Sequence, residues 1–124
     1  MSAERTEIAR QQVARFVARF DESYRRLAWY AALPLVLTPE LLNYLRNHFL
    51  RGQTPWEAEV DLLLSELCRP VGYEQFAMAP EVRAWLIGEM REQLGEAPMR
   101  EVARLLIRYV QQLSRTSSPF GREA

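Results

Sequence analysis

Four of the seven prolines stand at the head of an apolar-periodic run, and that placement confines the chain to short helices separated by tight turns. Proline lacks an amide hydrogen and fixes φ near the helical value, so it is tolerated in a helix's first turn and breaks the helix later on. Thr38-Pro39-Glu40 supplies a capping hydroxyl, the proline and an acid, in that order. Thr54-Pro55-Trp56-Glu57 repeats the arrangement and places Glu57 three residues after the capping threonine, which makes a capping box. Pro80 and Pro98 open two further runs, while Gly52 and Gly95 close the runs before them.

Between these marks apolar residues recur at helical spacing. From Ala3 to Arg19 they are Ile8, Val13, Phe16 and Val17, with Phe20 beyond. After an Asp21 cap they are Tyr24, Leu27, Ala28 and Ala31, in a helix that must stop before Pro34. Leu35-Val36-Leu37 reads as a buried extended connector, and Leu41, Leu42, Leu45 and Phe49 give the third helix its inner face. The fourth, reaching Leu67, carries Leu62, Leu63, Leu64 and Leu67 on more than one side, which marks it as the central helix. Arg69-Pro70-Val71-Gly72 reads as a turn, followed by alternation through Met78. Val82, Leu86, Met90 and Leu94 point inward on the fifth helix. Met99, Val102, Ala103, Leu106, Val110 and Leu113 form the cleanest stripe of all on the sixth.

The expected fold is therefore all-α, a compact bundle of about six helices with a short extended or hairpin-like arm near residues 68–79. One helical domain spans 1–113, its first helix (3–19) at the periphery, and the Ser/Pro/Gly-bearing stretch 114–124 reads as a linker or loose tail.

Sixteen arginines, no lysine and sixteen acids give zero formal net charge. A protein that binds phosphates by releasing counterions shows a basic excess, so the totals argue against nucleic acid. The longest apolar run, Leu27 to Leu37, has 11 residues interrupted by Pro34, too few to span a bilayer. A lone cysteine, Cys68, and no signal-peptide pattern point to a reducing cytoplasm. Catalytic groups are scarce. His48 is the only histidine, and neither it nor Cys68 has an evident third orienting group or an oxyanion-type glycine loop. One histidine, one cysteine and two aspartates make no familiar closed metal site, and five scattered glycines make no phosphate cradle. No catalytic, cofactor, metal or small-molecule site is expected. Asp61, set among Val60 and Leu62 to Leu64, needs a partner, and Arg69 or the backbone amides of the turn at Gly72 are the candidates.

Charge placement says more than charge total. Residues 1–51 carry +3, 52–98 carry −6 and 99–124 carry +3. On the sixth helix Arg100, Arg104, Arg108 and Arg115 share a narrow sector roughly opposite the apolar stripe, and on the fifth Glu81, Glu89, Glu92 and Glu96 share a sector with Trp85. Arg and Trp are the residue types enriched at binding hot spots. The two faces would fit one copy to another head to tail.

The string Leu27-Ala28-Trp29-Tyr30-Ala31-Ala32-Leu33-Pro34-Leu35-Val36-Leu37-Thr38-Pro39-Glu40-Leu41-Leu42 resembles the opening of a helical module of cyanobacterial and other morphologically complex bacteria. The likeness continues through Ala58 to Ser65, Leu67-Cys68-Arg69, Val71-Gly72-Tyr73-Glu74, Val82-Arg83 and Glu101-Val102-Ala103, covering about residues 27–113. It departs at Ala77, where the family pattern tends to be acidic, and at Leu94, where an aromatic precedes the glycine. That module stands ahead of sulfatase-modifying-factor-like domains of C-type-lectin fold, or of NTPase and effector domains. The proteins concerned resemble parts of bacterial conflict or immune-type systems with a MoxR-type ATPase and a von Willebrand A partner, and some are targets of diversity-generating retroelements. The resemblance implies recruitment of protein partners, with no cofactor. The alternative is a winged-helix-like nucleic-acid binder, with helices 39–51 and 55–67 as the helix-turn-helix and 68–79 as the wing; its groove-facing helix holds Glu57, Glu59, Asp61 and Glu66 and no arginine. An enzymatic reading rests on His48 and Cys68 alone.

Overall fold

The computed structural model describes residues 2–117. It holds six helices and one hairpin, in the order α1 (Ala3–Arg19), α2 (Glu22–Ala31), α3 (Pro39–Phe49), α4 (Glu57–Leu63), β1 (Arg69–Gly72), β2 (Gln75–Ala77), α5 (Pro80–Leu94) and α6 (Glu96–Ser117). Three helices start where a side-chain oxygen meets a bare amide. Ser2 accepts from the Arg5 amide at 3.2 Å, Asp21 from Ser23 at 2.8 Å and Thr38 from Leu41 at 3.1 Å. The capping box at Thr54 does not form. Thr54 is buried and its hydroxyl donates across the chain to the Ser23 carbonyl at 3.1 Å, so α4 begins only at Glu57, with no side-chain cap. Arg83 reaches from α5 to the other end of α2, donating to the carbonyls of Ala32 at 2.8 Å and Leu33 at 3.0 Å, which otherwise have no helical partner.

The central helix is α2, not α4. It packs against α1, α3, α4 and α5, and Trp29 and Tyr30 are buried beside the expected Tyr24, Leu27, Ala28 and Ala31. The fourth helix has only seven residues, and Leu64, just past its end, is 76% exposed. Its leucine run straddles a helix end, so the all-round apolar pattern is not that of one continuous helix. Far from peripheral, α1 packs on α5 and α2 through Ala9, Val13, Phe16 and Val17, leaving Ile8 exposed.

Residues 69–72, read from sequence as a turn, are instead a strand. Arg69 faces Ala77, Pro70 faces Phe76 and Gly72 faces Gln75, with a bulge between Pro70 and Gly72 and the tip at Tyr73-Glu74, where Glu74 takes φ of 51°. A third strand-like contact completes this corner: the Leu37 amide donates to the Phe76 carbonyl at 2.7 Å and the Phe76 amide to the Leu37 carbonyl at 2.8 Å. Leu37 is buried, but Leu35 and Val36 of the same connector are exposed. From α2 to β2 the order is helix, bridging residue, two helices and a closing hairpin, the hairpin-like arm expected near 68–79.

On α6 the buried face is Met99, Val102 and Leu105, whereas Val110 and Leu113 of the expected stripe are exposed and Ala103 lies outside the core. Tyr109 packs against Tyr44 of α3, the two rings tilted by 31° with centroids 5.2 Å apart. The helix begins at Glu96, ahead of Pro98, and runs on to Ser117; the rest of the predicted tail, 118–124, lies outside the described residues. No helix among the described residues is long and apolar enough to cross a membrane.

Candidate functional site

The acidic face expected on α5 is mostly engaged inside the molecule. Glu89 accepts from the Arg25 guanidinium at 2.9 Å and from two indoles, Trp29 at 3.1 Å and Trp85 at 3.0 Å. Arg25 also pairs with Glu22 at 2.8 Å. Trp85 is thus half-buried, its ring tied to the carboxylate four residues along its own helix. Glu81 lies 3.8 Å from Arg5, and Glu96 accepts from Arg91 at 2.8 Å. Glu92 stays exposed.

Among the described residues, every ion pair that joins the first charge block to the middle one follows a single rule. Arg5 with Glu81, Arg15 with Glu66, Arg25 with Glu89 and Arg46 with Glu59 all set an N-terminal arginine on a central acid. Four of the nine acids of the central block are therefore answered by the first block, while Glu57 and Glu92 stay exposed. Arg100, Arg104 and Arg108 are exposed and form no ion pair with any described residue.

Asp61 finds neither Arg69 nor a turn amide but the Tyr24 hydroxyl, which donates to it at 2.7 Å. Burial, and then this bond, push the Tyr24 hydroxyl up to about 12. Arg69 is exposed on β1. At Gly72 a Cβ would stand 2.5 Å from the end of the Gln75 side chain across the hairpin, a contact that a flexible amide can yield. The enzymatic residues fare poorly. Burial raises the Cys68 thiol to about 12, the reverse of an activated nucleophile, and His48 is an exposed ring packed on Tyr44 and Phe49. Among the described residues no three His, Cys, Asp or Glu side chains cluster to hold a metal ion.

Two apolar surfaces remain open, and neither was expected. On α4 and its flanks Trp56, Val60 and Leu64 are 68%, 52% and 76% exposed, beside exposed Glu57. Their four-residue spacing is visible in the sequence, but the leucines beside them give the segment the pattern of a helix that is apolar on more than one side. The second surface is an apolar groove of about 540 Å³ between the connector (Leu35, Val36), Leu41 of α3 and the outer side of α6 (Ile107, Val110). Comparison of the chain with protein-family models, curated proteins and solved structures gave no match.

Proposed function

We propose that the chain is a non-enzymatic protein-interaction module, an adaptor on a winged-helix-like frame that joins a sensor or effector domain to partner proteins. The observation that carries this reading is the outer face of α4. In a winged helix this is the element that would lie in the DNA groove, and here it presents Trp56, Val60, Leu64 and Glu57 without a single arginine. Large exposed apolar side chains on one face favour a protein partner, and carboxylates repel phosphate. The resemblance to recruitment modules of conflict-type systems supports the same reading. Affinity capture from host lysate with the wild-type chain and with a Trp56→Ala/Val60→Ser/Leu64→Ser variant tests it. Proteins held by the wild type and released by the variant are the expected result; an identical set from both would count against the α4 face.

One observation favours the nucleic-acid reading, the Leu37–Phe76 bridge that seats the hairpin as a wing. Fluorescence anisotropy with duplex DNA at low salt decides it. Salt-sensitive micromolar binding would move that reading to the front.

A further inference from the structure

The acids beside the exposed ridge of α4 narrow the choice of partner. At about 100° per residue, Trp56, Val60 and Leu64 share one sector, Glu57 and Asp61 fall on one flank of it, and Glu59 falls on the other. The two flanks differ in charge. Glu59 is taken by Arg46 and by the Asn43 amide, whereas neither Glu57 nor Asp61 forms an ion pair with any described residue. Glu57 is exposed, and Asp61 is half-buried and bonded through one oxygen to the Tyr24 hydroxyl. Both carboxylates, together with Asp21, act on that hydroxyl, so three acids gather at one place beside the apolar side chains. Asp21 has Arg26 near it, which leaves Glu57 and Asp61 as the charge without an answer. Asp61 and Leu64 also line a cleft of about 740 Å³ with Phe16 and Phe20. Of its two arginines, Arg15 is paired with Glu66 at 2.7 Å and Arg19 lies over the Phe20 ring, 5.5 Å from its centre.

Resting on the protein-interaction reading above, we infer that the α4 face takes a basic amphipathic helix from a partner, its apolar stripe on Trp56, Val60 and Leu64 and its lysines or arginines along the flank of Glu57 and Asp61. Position, and not charge total, selects this occupant. Each of the two acids directly follows a ridge residue, so whatever covers Trp56 and Val60 brings its own edge against them. An acidic partner would set like charges together, and phosphate, whether of a nucleic acid or of an anionic lipid, meets the same repulsion. Trp56 adds to the preference, because the face of an indole ring attracts a cation. A helix fits better than an extended strand. A strand laid on α4 would find no open backbone edge for its amides and carbonyls, whereas two helix faces interlock side chain into groove.

The test uses the whole chain and a fluorescent synthetic helix with leucines at i, i+4 and i+7 edged by lysines, alongside the same peptide edged by glutamates. The lysine peptide is expected to bind at least about tenfold more tightly than the glutamate peptide, with an affinity that falls as salt is raised. Val60→Ser/Leu64→Ser should weaken it at least about tenfold. Glu57→Gln/Asp61→Asn keeps an acceptor for the Tyr24 hydroxyl; it should weaken the lysine peptide about fivefold and narrow the gap between the two peptides. The melting temperature of each variant checks its fold, and Glu57→Gln alone, at an exposed position, should narrow the gap in smaller measure if Asp61→Asn lowers it. Equal binding of the two peptides, a gap that survives neutralisation, or indifference to Val60→Ser/Leu64→Ser overturns the inference. So does dimerisation of the chain alone that the same substitutions abolish, since a second copy would then be the occupant. Failure of the lysine peptide with Trp56-dependent capture intact rejects this occupant only; failure of both rejects the interaction reading itself.

Discussion

Asp61 needed a donor, and the donor is 37 positions away in sequence, the Tyr24 hydroxyl. No local pattern announces such a contact, because it depends on how α2 crosses α4. Its pH signature has a definite sign. The folded state holds the Tyr24 proton up to about 12 against the usual value near 10, so this stabilisation is complete below pH 10 and is lost as the pH climbs through 12. Tyr24→Phe should cost about 1–2 kcal/mol at pH 7. Urea titrations should show the gap between wild type and variant closing above pH 10, with the titration of Cys68 cancelling because both proteins carry it; a gap that stays constant would refute the assignment. Glu89 is the companion case. The sequence placed it correctly on one face with Trp85, but that face turns to Arg25 and Trp29. Glu89→Ala strands one guanidinium and two indole donors, so about 2 kcal/mol of stability should be lost. An Arg25→Ala/Glu89→Ala cycle should give a coupling well above that of an exposed pair, and near-zero coupling would return Glu89 to the surface role.

At the scale of elements, the breaks were legible and the faces less so. Prolines and glycines act through their own backbone geometry, and Pro39, Pro80 and Gly95 mark helix ends wherever the rest of the chain goes. Gly95 adopts φ of 86° and ψ of 176°, a conformation that essentially only glycine accepts. A helix face is set by what lies opposite it, which a single segment does not contain. The apolar stripe in the α6 sequence is Met99, Val102, Ala103, Leu106, Val110 and Leu113, yet the body of the protein contacts a face rotated toward Leu105 and Tyr109. Paired substitutions separate the two readings. Leu105→Ala should cost about 3 kcal/mol as a core truncation, and Val110→Ala less than about 0.5 kcal/mol. Equal costs in chemical denaturation would mean that the outer face of α6 is covered in the free protein.

For the molecule as a whole, the partition into +3, −6 and +3 blocks survives, and only the matching changes. Four ion pairs fold the first block onto the middle one, and none among the described residues reaches the arginines of α6. The same asymmetry appears in packing, since α2 touches four other helices and α5 touches three, whereas α6 is anchored mainly through its first half to α5. Amide exchange should follow that order. Amides at Leu27–Ala31 and Leu86–Met90 should exchange only through global unfolding, because every opening that frees them breaks contacts with several helices. Those at the hairpin tip, 71–75, and in the last turns of α6, 110–115, should exchange orders of magnitude faster, as their opening disrupts little apolar burial. If 110–115 exchange as slowly as α2 in the free chain, and more slowly still at higher protein concentration, then copies of the chain already cover one another's α6.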